Sequence, residues 1–231
     1  MGARIGADDI EEDDIDDAVE AGAAAIEHGS FSDAIAAAVL AKMAVRNITY
    51  DPTLAVLEGM RDLSAGRGDL LRRPLVQQAV SQKLLTGTTD AIKRGAMSSP
   101  ERASGIEAAM RVAQQNLVRA WKAGVPLVTG SDAGNLLVFH GPTVHRELQL
   151  WVAAGIPPEV ALQAATWNAA KLLHAQQRIG LVQPGYEASL LVVDGDPTRD
   201  ISATERISSV VYKGERIRRV ELFDRARNPL E

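Results

Sequence analysis

The sequence predicts an α/β protein, a parallel sheet covered by helices and followed by a small β module. Three observations carry that prediction. Residues 13–53 alternate helix, strand, helix, strand with short connections, the rhythm of right-handed βα units. Pro126–Asn135, PLVTGSDAGN, reads as a buried strand that stops at a carboxylate, with glycines on both sides to let the backbone turn. Beyond residue 179 helical spacing gives way to β-branched runs, and two of them flank Lys213-Gly214-Glu215 as a hairpin.

Composition excludes several classes. The chain has 231 residues, enough for one large or two small domains, and 46% of them are apolar. A net charge of −5 gives no basic surface for nucleic acid. No apolar run reaches the roughly 18 residues that a membrane helix needs. With 4% aromatic residues, the core must be built from Ala, Val, Leu and Ile. The absence of Cys rules out disulfides and thiolate metal sites. Met1 is followed by GARIGADD rather than by a basic region and an apolar core, so no signal peptide is visible and a cytoplasmic protein is expected.

Each element follows in order. DDIEEDDIDD is acidic at every position except Ile10 and Ile15, which suits a solvated first helical turn. Asp13–Gly22 has helical spacing, with Ile15, Ala18 and Val19 on one side. Ala23–Ile26 is the first short buried strand, and Glu27-His28-Gly29 is its polar end. An Ala-rich helix over Ser32–Met43 leads to a second strand, Val45–Thr53, closed by Pro52. Residues 54–124 hold no convincing strand. They form a helical insertion that includes a fresh start at Ser98-Ser99-Pro100-Glu101 and a long amphipathic helix ending at Gly124. The strand Val125–Ser131 comes next, then a loop over Asn135–Pro142, a helix over Val144–Ala154 and another from Pro157 through Leu173. Ile179–Pro184, Ala188–Val193, Ile207–Tyr212 and Arg216–Val220 are strand-like. This tail is too small to bury a core alone.

Two predicted strand ends present potential metal ligands, His28 and Asp132. Imidazole and carboxylate suit zinc and related divalent ions. On a parallel sheet all strand C-termini open on one face, so distant residues can converge there. Taken singly, a His at a strand end such as His28 is more often structural, and Asp132 can equally be a turn former or helix cap.

The wording of the sequence says more. Ala21–Gly29, AGAAAIEHG, resembles the AGxxxIEHG segment of the amidohydrolase superfamily, nearest to imidazolonepropionase-like and Xaa-Pro dipeptidase-like members. Ala123–Gly134, AGVPLVTGSDAG, is similar to AGVPLxxGTDAG, with Ser131 in the Thr place. Glu147–Thr166 resembles EL…AGxxPxEALxAAT, and Arg178–Pro197 resembles the closing RIGxxxPGxxADLVVLDGDP with Ala188-Ser189 for Ala-Asp. The resemblance runs from about residue 15 to 218. It implies the C-terminal part of a (β/α)8 TIM-like barrel, from about strand 5 or 6 to strand 8, within residues 1–178, and a partial β-sandwich tail over 179–231. It places His28 at the end of strand 6 as a ligand of the more buried metal of a binuclear site. Asp132 would end strand 8, bind a divalent metal, zinc in kind, and act as general base in hydrolysis of an amide-type C–N bond. His140 would lie in an HG loop that faces substrate, while His145 and His174 fall in helices and are read as structural.

The departures matter too. The strand-1 His-x-His, the strand-4 lysine and the strand-5 histidine of the resemblance have no counterpart here. His28 and Asp132 alone remain of the usual ligands. The expectation is therefore a piece that needs a complementary N-terminal half or a homo-oligomer, acting on a small-molecule substrate or surviving as a non-catalytic interaction subunit. No nucleic-acid or membrane partner is expected.

Overall fold

The computed structural model describes residues 4–5, 12–95 and 97–219. The remainder of Met1–Glu11 and the end of the expected Arg216–Val220 run lie outside the described residues.

Three short parallel strands form the first sheet in the order β1-β2-β3: β1 (Arg4–Ile5), β2 (Ala25–Glu27) and β3 (Thr49–Asp51). The helices α1 (Glu12–Glu20) and α2 (Ala37–Arg46) are the crossovers. Each expected strand is shorter and begins later than its apolar run. Val45, expected to open the second strand, is instead on α2 and largely exposed. Asn47 ends that helix in the left-handed conformation.

The expected strand Val125–Ser131 is not a full strand. Leu127 makes one parallel bridge to Tyr50, with Tyr50 N–H bonding Pro126 O at 3.0 Å and Val128 N–H bonding Tyr50 O at 3.0 Å. On the opposite edge the Asn168 side chain donates to Leu127 O at 2.9 Å. On that edge a side chain holds one carbonyl where a neighbouring strand would pair several groups. No closed barrel is formed among the described residues.

As expected, no strand interrupts 54–124 among the described residues. They hold α3 (Leu54–Ser64), a 3₁₀ turn (Asp69–Arg72), α4 (Pro74–Ala79), α5 (Gln82–Lys93) and α6 (Pro100–Lys122). The long helix α6 starts as its sequence predicts. The Ser99 hydroxyl accepts the Arg102 N–H, Pro100 sits in the first turn, and Gly124 follows the end with φ +79°. Ile106, Met110, Ala113, Leu117 and Ala120 form its buried face, packed on α3. The main core joins these residues to Ile26, Tyr50 and Leu127 of the sheet and to Trp151 and Leu148 of α7 (Pro142–Ala154).

The expected helix from Pro157 through Leu173 is interrupted. It runs as α8 (Pro158–Gln163), a π turn (Ala164–Asn168) and α9 (Ala169–Leu172). His174, expected inside it, lies past its end with φ +54°. His145 is on α7.

The tail forms a second sheet, antiparallel, in the order β4-β5-β6: β4 (Leu190–Val193), β5 (Ile207–Tyr212) and β6 (Glu215–Ile217). Ile179–Pro184 is not a strand. The hairpin turn at Lys213 and Gly214 has positive φ at both residues, the geometry that twists with its strands. No residue of this sheet is buried, and Leu191, Val192 and Tyr212 are about half exposed. The 3₁₀ turn Ile201–Glu205 docks on α7, and Arg73 pairs with Glu205 at 2.5 Å.

Candidate functional site

The three parallel segments β2, β3 and 125–131 end on the same side, and their tips line one open cleft of about 420 Å³. Glu27 and His28 come from β2, Asp51 and Thr53 from β3, and Thr129, Gly130 and Asp132 from the third segment. Ala169, Leu172 and Leu173 of the last helix close one wall. His28 and Asp132 therefore face a common space. His140 does not: it lines a separate hollow with Ala79, Leu84 and Leu136.

The tips share an unusual backbone. His28 (φ +70°), Thr53 (φ +44°) and Asp132 (φ +44°) all adopt the left-handed conformation that side chains with a β-carbon rarely occupy. Such outliers concentrate at functional sites, where surrounding contacts hold them.

Those contacts meet at Asp51-Pro52-Thr53. The Asp51 carbonyl accepts the His28 N–H at 2.7 Å. Thr53 Oγ1 lies 2.5 Å from His28 Nδ1. The Asp51 carboxylate accepts the Thr53 N–H at 3.3 Å and also the Gly130 N–H. Glycine at 130 is a packing requirement, because a β-carbon there would overlap Asp51 Oδ2. At the third tip, Asp132 is exposed, and its Oδ2 accepts the Asn135 side-chain N–H at 2.7 Å. Its Oδ1 remains for other chemistry.

Two carboxylates here are buried, Asp51 in the cleft lining and Glu147 on α7. Burial pushes the Asp51 carboxyl well above the usual range, and the nearby Glu147 carboxylate adds to the rise. Glu147 is fully buried on α7 and accepts three N–H groups, from Leu54 at 2.8 Å, Ala55 at 2.6 Å and Trp151 Nε1 at 2.8 Å. Burial outweighs these donors and raises Glu147 to about 7. Burial likewise raises the Tyr50 phenol.

Asp51 and Thr53 escaped the sequence reading, although the signal was present. An acidic residue at the end of a β-prone run, before Pro52, is the pattern that singled out Asp132. Glu147 carries no local signal of burial, since only its three-dimensional surroundings exclude water.

The donor set fits a divalent ion in kind, as part of a ligand set: an imidazole with Nε2 unengaged among the described residues and a carboxylate with one free oxygen. In number it offers two such groups, His28 and Asp132. Among the described residues no group of three or more His, Asp or Glu side chains is arranged to hold a metal.

Among solved structures, a Xaa-Pro dipeptidase with methionine bound in its active site superposes with a TM-score of 0.64 at 23% identity, over 89% of this chain and 42% of the dipeptidase. A putative prolidase from Bifidobacterium longum gives a TM-score of 0.63 at 24% identity, over 92% of this chain and 48% of the prolidase. Molinate hydrolase gives 0.61 at 21% identity, over 91% and 42%. The chain thus spans less than half the length of these structures, which it resembles in fold. Comparison with curated proteins found no match. The profile of the amidohydrolase family matches residues 7–217, nearly the whole chain. The chain belongs to the amidohydrolase family.

Proposed function

We propose that this chain supplies the His28 and Asp132 side of a metal-dependent amidohydrolase that hydrolyses an amide-type C–N bond, in a cyclic amide or a dipeptide. The observation that carries the reading is the convergence of these two side chains, from separate parallel segments, on one cleft. In this reading residues 1–178 are barrel strands from about 5 or 6 to 8 with their helices, and residues 179–231 are part of a β-sandwich. A complementary N-terminal half, or a second copy, provides the remaining ligands. The uncovered faces of β4–β6 support the need for such a partner.

A divalent metal, zinc in kind, would be held here by His28 Nε2 and an Asp132 oxygen, and when bound would polarise the substrate carbonyl and activate water. The chain's own contribution is a proton path. Asn135 fixes the Asp132 carboxylate, and its oxygen that does not hold the metal would take a proton from the attacking water and deliver it to the leaving nitrogen. Leu172 and Leu173 give the cleft an apolar wall against which part of a substrate can pack.

A second reading is favoured by one observation, the two-ligand count: the chain keeps the fold as an interaction subunit without chemistry. The experiment isolates the complex from source cells through a tag on this chain. It then assays Xaa-Pro dipeptides and cyclic amides with wild type and Asp132→Asn. Turnover lost in the variant supports the first reading; an intact complex without turnover supports the second.

A further inference from the structure

The Thr53 hydroxyl stands where helix capping would normally consume it. Thr53 is the N-cap residue of α3, and a threonine there ordinarily accepts a backbone N–H of the first turn. Its side chain makes no such bond. The Leu54 and Ala55 N–H groups go instead to the two oxygens of Glu147, a carboxylate brought in from α7. The lone pairs of Thr53 Oγ1 are thereby left free, and the oxygen sits 2.5 Å from His28 Nδ1. Thr53 also holds φ +44°, a conformation that a β-branched side chain resists. Two unusual features, a capping threonine relieved of capping and a strained β-branched residue, serve the same contact.

We propose that Thr53 is a positioning residue for His28: its hydroxyl oxygen accepts the Nδ1–H, which fixes the neutral ring in the tautomer whose lone pair lies on Nε2, in the cleft. A neutral imidazole carries one proton, and the bond made by one nitrogen decides the state of the other. Among the described residues Nε2 has no hydrogen-bond partner, so the nitrogen left with the lone pair is the one available to an incoming ligand or ion. The backbone secures the ring's root as well, through the 2.7 Å bond from His28 N–H to Asp51 O. The inference rests on the reading that His28 serves the cleft, and it names the residue that prepares it.

The test is nitrogen-15 NMR of the histidine rings in the full chain, at a pH well above the ordinary imidazole range. The sequence has 4 histidines, and a His28→Gln variant assigns the ring by loss of its signals. The expected wild-type result is a protonated Nδ1 and an unprotonated Nε2 at His28. Thr53→Val keeps the β-branched shape and removes the hydroxyl, and should move the proton to Nε2, the tautomer that isolated imidazole prefers. Thr53→Ser should retain the wild-type pattern. A wild-type His28 protonated on Nε2 would overturn the proposal, whether or not the valine variant folds. So would a valine variant with an unchanged pattern, or a serine variant that behaves like valine. None of these readouts uses hydrolysis, so failure here is distinct from failure of the proposed activity.

Discussion

The Asp51 carboxylate occupies the space that a side chain at Gly130 would need, and it accepts the Gly130 N–H. The contact joins the tip of β3 to the turn that carries Asp132. It makes the spacing between two cleft walls depend on one glycine.

Gly130→Ala should therefore destabilise the protein by about 1–3 kcal/mol, the usual cost of forcing an atom into a filled site. The φ of Gly130 is not left-handed, so the penalty is steric and not one of backbone preference. Urea unfolding should show a lower midpoint at unchanged slope. A double variant with Asp51→Ala should cost less than the sum of the two single changes, because the overlap disappears with the carboxylate.

Glu147 gives a pH prediction. Its folded-state value of about 7 lies above the ordinary 4.5, so the folded chain holds the proton more tightly than the unfolded chain. The contribution to stability is fully present below pH 4.5 and is lost as pH rises through about 7. The slope from one such group is at most about 1.4 kcal/mol per pH unit. Asp51 slopes the same way, whereas His145, whose pKa burial lowers, slopes oppositely in acid. The Glu58 carboxylate also faces Glu147. The expected result is a difference: Glu147→Gln should flatten the fall in stability between pH 4.5 and 7, as read by urea midpoints across that range.

Asn116 staples the loop that follows His28. Fully buried on α6, it accepts the Ile35 N–H at 2.9 Å and donates to Ser30 O at 3.1 Å and Asp33 O at 2.8 Å. Asn116→Ala removes three bonds and leaves buried backbone groups unpaired, a loss of about 3 kcal/mol. Thermal unfolding should show the loss. Amide exchange of Ile35 should accelerate beyond what the global change explains.

Much of the architecture was legible because local signals agreed with the fold. Ser99-Pro100 opened α6, Gly124 closed it, and Lys213-Gly214 turned the hairpin as expected. The failures have a common physical origin. Val125–Ser131 has the composition of a strand, but it makes a single bridge to Tyr50, and on its other edge the Asn168 side chain holds a carbonyl where a further strand would pair. The π turn at Ala164–Asn168, which carries Asn168 there, leaves no mark in the apolar spacing. Of the site, the motifs around His28 and Asp132 drew attention to two tips. The tip between them, Asp51-Pro52-Thr53, acts through backbone hydrogen bonds and a hydroxyl, which no spacing of residue types reveals.

We propose that His28 and Asp132 are two ligands of a metal site that another chain completes. Equilibrium dialysis of the isolated chain against zinc, with the bound metal counted by elemental analysis, tests it most directly. The expected result is weak, substoichiometric binding that falls further in both His28→Ala and Asp132→Ala, since two protein ligands are fewer than the three or four of ordinary zinc sites. Tight binding of one zinc per chain, or binding indifferent to both substitutions, would contradict it.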